Sequence, residues 1–147
     1  MYWVTERLAI GGLSSVELAD ESMAILNLCE DQPYALPRTI DFCHKGFPDQ
    51  QPFPLSKVWE CVEWLDRHVS RGTRVLVHCA EGNSRSVSVA LAYFIFKGVS
   101  PQQAKAKILA AKPFCTQAGT PTAEPLYFHE DFLAAWQDYM RRMSRPV

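Results

Sequence analysis

The chain reads Val75-Leu76-Val77-His78-Cys79-Ala80-Glu81-Gly82-Asn83-Ser84-Arg85-Ser86 at its centre. The apolar start is typical of a buried strand, and the long apolar stretch that follows Ser86 is typical of a helix. A strand therefore leads through a short loop into a helix N-terminus. Successive N–H groups of such a loop can point into one concavity, where the helix dipole adds positive potential. The run predicts a site for an anion.

Two side chains give this predicted site its chemistry. Arg85 follows Cys79 by six positions, and its planar guanidinium can donate to two oxygens of one phosphate. A free thiol has a pKa of roughly 8.5, which a helix N-terminus and a nearby cation lower. We therefore expect Cys79 to be a thiolate, and hence a nucleophile, at neutral pH. The alternative is a buried structural cysteine, which does not account for Arg85 or for Gly82, where the backbone can approach a ligand closely.

The motif His-Cys-x-x-Gly-x-x-Arg-Ser resembles the signature loop of the cysteine-dependent protein tyrosine phosphatase superfamily. Within it, Gly82-Asn83-Ser84-Arg85-Ser86 resembles the dual-specificity branch, in which Gly-x-Ser-Arg-Ser is common. The similarity extends over most of residues 1–112, and residues 5–12 resemble the opening strands of the family. The resemblance implies the fold of that superfamily and a phosphatase activity.

The resemblance also implies a role for each residue of the loop. Cys79 is implied as the nucleophile, and Ser86 as the hydroxyl that assists thiolate release in the second step. His78 is implied to orient the cysteine without touching the substrate. The implied phosphate-binding residues are Ala80, Glu81, Gly82, Asn83, Ser84 and Arg85.

A phosphatase also needs an acid to protonate the leaving oxygen. The segment Phe47-Pro48-Asp49 lies upstream of Cys79 in a proline-rich loop. It resembles the Trp-Pro-Asp loop of the superfamily, with Phe in place of Trp, so Asp49 is our candidate general acid. A simple turn role for Asp49 is the alternative, because Pro-Asp favours turns. Asp41 is the nearest rival, but it lies in a segment, 38–42, that reads as a strand.

Composition and charge restrict the class of protein. The chain has 147 residues, 48% of them hydrophobic, and a net charge of −1, which predicts one globular domain over residues 1–147 and no nucleic-acid partner. Its five cysteines show neither paired nor metal-ligand spacing, so we expect a reducing compartment, no metal and no cofactor. The sequence shows no signal peptide and no apolar run of about 18 residues. We expect a cytoplasmic monomer without a membrane partner.

Hydrophobic patterns along the chain alternate between strand and helix. Strands are predicted at 2–4, 8–10, 23–29, 38–42 and 74–78, and helices at 56–70, 86–97, 100–112 and about 127–142. Ser14 and Ser100 each read as the start of a capping box. Trp59, Trp64 and Trp136 read as packing anchors. The pattern predicts an α/β domain with a central, mostly parallel, twisted sheet and helices on both faces.

The predicted substrate is a phosphorylated protein or peptide. Only residues 43–53 separate the fourth predicted strand from the next helix, so the cleft should be shallow enough for phosphotyrosine and also for phosphoserine or phosphothreonine. Relatives that act on inositol lipids place lysines in the loop, whereas this loop has none and carries Glu81. Phosphatases of phosphoinositides or RNA 5′-phosphates remain alternatives. So does a binding module without turnover, and sulfur transfer or arsenate reduction is a third class.

Overall fold

The computed structural model of the chain describes residues 1–31, 34–36, 39–48, 53–80, 85–112 and 130–144. Five strands form one sheet. They are β1 (Tyr2–Trp3), β2 (Leu8–Gly11), β3 (Met23–Asn27), β4 (Phe42–His44) and β5 (Arg74–His78). Their order across the sheet is β1-β2-β5-β3-β4. β1 is antiparallel to β2, and the other three pairs are parallel.

The centre of the sheet is buried on both faces. Every residue of β2 and β3 is buried, and so are the four residues of β5 from Val75 to His78. Parallel strands that are covered on both faces read as continuous apolar runs rather than as alternating ones. This explains why the sequences of β3 and β5 carry so few polar residues.

Four α-helices contribute to the larger core cluster, which lies on one face of the sheet. They are α1 (Leu55–Ser70), α2 (Arg85–Phe96), α3 (Pro101–Ala111) and α4 (Glu130–Met143). α2 is buried from Arg85 to Ile95, because α1, α3 and α4 all contact it. A helix that is apolar nearly all round fits this central position.

The opposite face has a smaller cluster of four buried residues, which are Ala9, Met23, Ile25 and Leu76. A 3-10 helix at Leu13–Leu18 contributes Val16 to its cover, together with Ile40 and Phe42. The prediction of a mostly parallel sheet with helices on both faces is confirmed. The distribution is unequal, since all four α-helices lie on one face and the 3-10 helix lies on the other.

Local sequence signals correctly placed most of these elements. All four predicted α-helices are present, and the described part of the last one begins at Glu130. The hydroxyl of Ser100 accepts a hydrogen bond of 3.2 Å from the Gln103 N–H, as a capping residue should. Trp64 and Trp136 are buried and Trp59 packs against the same core, so their prediction as packing anchors is confirmed.

Two local predictions are wrong. The segment after β2 is a 3-10 helix capped at Gly12 without a side-chain hydrogen bond, so Ser14 does not begin a capping box. Instead, the Leu13 N–H donates to the Ala80 carbonyl at 2.8 Å. The helix therefore begins at Leu13, before Ser14. The fourth strand is Phe42–His44 rather than 38–42, because its ladder with β3 pairs Phe42 with Ile25 and His44 with Asn27.

The proline and glycine residues of segment 113–125 predict an irregular stretch, which we expect near the rim of the cleft. This segment lies outside the described residues. Within the described ranges, no helix has both the length and the apolar character that crossing a membrane requires.

Candidate active site

Cys79 lies at the carboxyl edge of the sheet, directly after its central strand. β5 runs between β2 and β3, and its last residue, His78, pairs with Gly11 on one side and with Asn27 on the other. The Cys79 N–H donates to the Gly11 carbonyl at 3.2 Å, and the His78 carbonyl accepts from the Leu28 N–H at 2.9 Å. The backbone that carries the sulfur is therefore fixed from both neighbouring strands.

Arg85 and Ser86 begin the helix that follows the loop. The Cys79 Sγ and the Ser86 Oγ are 3.4 Å apart, and both residues are buried. At that distance the hydroxyl can donate a hydrogen bond to the sulfur, which stabilises a thiolate. The amino end of α2 lies on the same side, and its dipole also favours negative charge.

Arg85 is buried, with only 5% of the residue exposed. One of its amino groups donates to the Phe47 carbonyl at 2.9 Å. A buried arginine needs such partners, because an unpaired charge in the interior is costly. The contact joins the helix after the loop to the segment before Asp49, so the two predicted parts of the site meet at Phe47.

Tyr34 contacts His78, and nothing in the sequence pointed to it. The Tyr34 Oη is 2.5 Å from the His78 Nε2, and the His78 Nδ1 is 3.2 Å from the Cys79 carbonyl oxygen. Burial lowers the pKa of His78 below its ordinary value, which favours a neutral ring. Burial, followed by the nearby Cys29, raises the pKa of Tyr34 to about 12, so its hydroxyl keeps its proton.

The segment before Asp49 lies against the loop that follows β3. Lys45 donates its N–H to the Asn27 carbonyl at 2.9 Å, and Phe47 donates to the Leu28 carbonyl at 3.0 Å. The Phe47 ring is fully buried. Asp49 itself lies outside the described residues. Its rival Asp41 contacts the His68 ring nitrogen at 3.1 Å, on the first helix rather than at Cys79.

Part of the predicted loop also lies outside the described residues, namely Glu81, Gly82, Asn83 and Ser84. Ala80 is described, and its carbonyl accepts the hydrogen bond from the 3-10 helix at Leu13. That carbonyl is therefore directed towards the 3-10 helix. The described part of the chain contains no group of His, Cys, Asp and Glu side chains suited to a metal ion.

Cys29 is a second thiol whose pKa is affected by the charges of this site. Burial raises its pKa, the Arg85 charge lowers it and the Cys79 sulfur raises it. Cys43, which is closer to Asp49 in sequence, packs against the core from β4. The charges that act on its pKa come from Lys45, Arg67, Asp41 and Glu60. Sequence order alone did not reveal which cysteine is near Cys79.

In sequence, the chain is similar to dual specificity protein phosphatases. Human dual specificity protein phosphatase 9 is 38% identical over 76 residues, which are 50% of this chain and 20% of that protein. The Arabidopsis thaliana dual specificity protein phosphatase 1 is 40% identical over 55 residues, 37% of this chain and 28% of that protein. This chain thus spans less than a third of these relatives. No protein-family model matches it.

Solved structures show the same fold over nearly the whole chain. Human DUSP28 has a TM-score of 0.77 at 20% identity and covers 98% of this chain and 100% of its own. The active form of Tk-PTP has a TM-score of 0.75 at 23% identity, with 93% and 95% covered. Human tyrosine phosphatase-like serine/threonine/tyrosine-interacting protein has a TM-score of 0.73 at 19% identity, with 99% and 98% covered.

Proposed function

We propose that this chain, which belongs to the dual-specificity branch of the cysteine-dependent protein tyrosine phosphatase superfamily as its signature motif predicted, hydrolyses phosphate monoesters on proteins. One observation carries the proposal. The Cys79 sulfur lies 3.4 Å from the Ser86 hydroxyl at the start of a helix whose first residue is the buried Arg85. The end of a strand and a helix N-terminus, which favours anions, are thereby combined with a candidate nucleophile and a cation.

The first step transfers the phosphoryl group to sulfur. The Cys79 thiolate attacks phosphorus in line with the leaving oxygen, so a P–S bond forms as the P–O bond breaks. Asp49 gives its proton to that oxygen, and the product leaves as a neutral alcohol or phenol. The Arg85 guanidinium donates to two of the non-bridging oxygens, where negative charge is held during the transfer.

The second step releases phosphate. A water molecule attacks phosphorus, and Asp49, now a carboxylate, takes one of its protons. The P–S bond breaks and the sulfur leaves as a thiolate. The Ser86 hydroxyl lies within reach of that sulfur, and its hydrogen bond stabilises the negative charge as it develops. Cys79 returns to its starting state without a cofactor.

The substrate class that we propose is phosphotyrosine together with phosphoserine and phosphothreonine in proteins or peptides. The loop contains Glu81 and no lysine, and the net charge of the chain is −1. Inositol headgroups with several phosphates and RNA 5′-phosphates need more cationic contacts than this. The proposal includes a cytoplasmic monomer without nucleic-acid or membrane partners. Cys29, Cys43 and Cys61 are free thiols, which suits a reducing compartment.

A binding module without turnover is the second candidate. The structural likeness to the human tyrosine phosphatase-like serine/threonine/tyrosine-interacting protein favours this candidate. The two functions use the same anion site, but only hydrolysis requires the sulfur. Cys79 is present in this chain, which supports the enzyme.

Turnover of p-nitrophenyl phosphate and of phosphopeptides separates the two candidates. We expect the wild-type chain to release phosphate from p-nitrophenyl phosphate and from phosphotyrosine, phosphoserine and phosphothreonine peptides. Cys79→Ser should lose at least about a thousandfold in kcat while still binding phosphopeptide. Cys43→Ser is the matched control, because it removes a half-buried thiol from β4 and should retain activity. Binding without turnover by the wild type would establish the module, and turnover by Cys79→Ser would reject this mechanism.

A further inference from the structure

Lys57 occupies a position in which a cation is normally disfavoured. It lies in the first turn of α1, near the positive end of the helix dipole. Its ammonium nonetheless reaches back to the preceding segment and donates to the Gly46 carbonyl at 2.7 Å. The same nitrogen lies 5.3 Å from the centre of the Phe47 ring, within the range of a cation–π interaction. A half-buried lysine is thus used to hold two consecutive residues of another segment.

The peptide group between Gly46 and Phe47 is consequently held at both ends. Its carbonyl accepts from Lys57, and its N–H donates to the Leu28 carbonyl at 3.0 Å. The backbone here is also pressed against the loop after β3, since a Cβ on Gly46 would lie 3.1 Å from the Cys29 carbonyl oxygen. This peptide group cannot rotate without breaking at least one contact.

The next peptide group carries the constraint towards the active site. The Phe47 carbonyl accepts from Arg85 at 2.9 Å, and the Phe47 ring packs edge-on against Phe53 with centroids 5.3 Å apart. Pro48 follows, with its backbone torsion φ fixed by the ring, and Asp49 comes directly after it. Lys57 and the proposed phosphate ligand Arg85 therefore bind two consecutive carbonyls, those of Gly46 and Phe47, and the chain continues from there to the proposed acid.

We propose that Lys57 is a positioning residue for the general acid and that it acts by fixing the backbone of Gly46 and Phe47. This role rests on the proposed phosphatase function. The ammonium does not touch the substrate. It holds the Gly46 carbonyl, and the chain runs on from Phe47 and Pro48 to Asp49, so we expect its loss to weaken protonation of the leaving oxygen. A misplacement of about 1 Å can cost a hundredfold in rate.

The effect should depend on the leaving group, because only poor leaving groups need full protonation. Lys57→Met keeps the length of the side chain and removes the charge. We expect its kcat to fall about tenfold or more for an alkyl phosphate and about threefold or less for p-nitrophenyl phosphate. Lys57→Arg can still donate to the Gly46 carbonyl and lie over the Phe47 ring, so it should restore most of the activity on the alkyl phosphate.

Lys45→Met is the matched control. Lys45 lies in the same segment as Gly46 and also contacts α1, but its partner is the exposed carboxylate of Glu60 at 3.4 Å. An exposed ion pair of this kind contributes little to stability. The kcat of Lys45→Met should therefore stay within about twofold of the wild-type value on both substrates. Equal losses on the two substrates in Lys57→Met, or the same pattern in Lys45→Met, would overturn the role of Lys57.

Amide hydrogen exchange provides a second measurement that does not depend on activity. Because the Gly46–Phe47 peptide group loses its carbonyl partner, the Phe47 amide should exchange about tenfold faster in Lys57→Met than in the wild type or Lys45→Met. Unchanged exchange contradicts the proposal. If Lys57→Met does not fold, Lys57→Gln serves for the same comparison. Failure of the proposed phosphatase function would look different. In that case neither the wild type nor any Lys57 variant would release phosphate.

Discussion

The Tyr34 hydroxyl oxygen lies 2.5 Å from the His78 Nε2, so a side chain from the loop between β3 and β4 completes a series of contacts that ends at Cys79. On the other side of the ring, Nδ1 lies 3.2 Å from the Cys79 carbonyl oxygen. A carbonyl only accepts, so Nδ1 carries the proton of the neutral ring and Nε2 accepts from Tyr34. Tyr34 thereby selects the tautomer of His78 and, through it, the orientation of the Cys79 backbone.

Tyr34→Phe should therefore destabilise this tautomer while keeping the aromatic ring. Removal of the donor is expected to lower the free energy of unfolding by about 1 kcal/mol and to decrease the population of the Nδ1–H form. Nitrogen-15 chemical shifts of the His78 imidazole report the tautomer directly. Tyr2→Phe, which alters an exposed ring, should leave them unchanged. A proton found on Nε2 in the wild type would contradict the assignment.

Alkylation of Cys79 tests whether the sulfur is activated. The Ser86 hydroxyl at 3.4 Å and the N-terminus of α2 both stabilise negative charge there. Iodoacetate is therefore expected to label Cys79 well below pH 8, and millimolar phosphate should slow the labelling. The internal controls are Cys61, whose pKa burial raises to about 12, and Cys43, whose pKa burial also raises. Labelling of Cys79 only above pH 8 would remove the activated nucleophile.

Asp49→Asn tests the proposed acid. An amide cannot supply the proton, so an alkyl phosphate with a poor leaving group should lose about a hundredfold or more in kcat. The loss on p-nitrophenyl phosphate should be much smaller, because its phenoxide leaves without full protonation. Asp41→Asn is the control, since Asp41 contacts His68 rather than the site. Equal losses on both substrates for Asp49→Asn would show that Asp49 is not the acid.

Stability should decrease as the solution is acidified below about pH 6.5. Burial lowers the pKa of both His78 and His68 from 6.5, so the unfolded chain binds protons at a pH where the folded chain does not. The contribution of the neutral histidines to the free energy of unfolding is complete above pH 6.5. It is lost as the pH falls towards the pKa values of these histidines in the folded chain. Each histidine contributes a slope of at most about 1.4 kcal/mol per pH unit. Urea unfolding at pH 7.5, 6.5 and 5.5 measures it.

His68→Gln separates the two contributions to this slope. His68 lies beside Asp41, whose charge partly opposes the effect of burial on the His68 pKa. The variant should show a shallower decline between pH 6.5 and 5.5 than the wild type. An identical decline in both proteins would mean that His68 contributes nothing to the pH dependence.

The sequence predicted those parts of the fold that local patterns determine. The apolar residues of α1 recur at helical spacing and α2 is apolar on all sides, so both helices were placed within a residue or two. Ser100 was identified because its capping bond lies within the same turn. The signature motif was also local, and the relatives that the chain resembles in sequence are dual specificity phosphatases, as the motif predicted.

The parts that the sequence did not predict depend on distant partners. The 3-10 helix begins at Leu13 because a carbonyl 67 positions later, at Ala80, accepts its first N–H. Tyr34 and Lys57 each reach a residue in another element, His78 and Gly46, and no periodicity marks such pairs. The position of β4 follows from its register with β3, which strand propensity does not encode.

Trp136 connects the last helix to the helix that carries Arg85. It is fully buried, its indole N–H donates to the Ala92 carbonyl at 3.0 Å, and its ring stacks on Tyr139. Trp136→Ala should lower the free energy of unfolding by about 3–5 kcal/mol, because a large cavity and an unpaired carbonyl remain. Leu18→Ala, at an exposed position, should change it by about 0.5 kcal/mol or less. Urea unfolding distinguishes the two, and a similarly small loss for Trp136→Ala would mean that α4 does not brace α2.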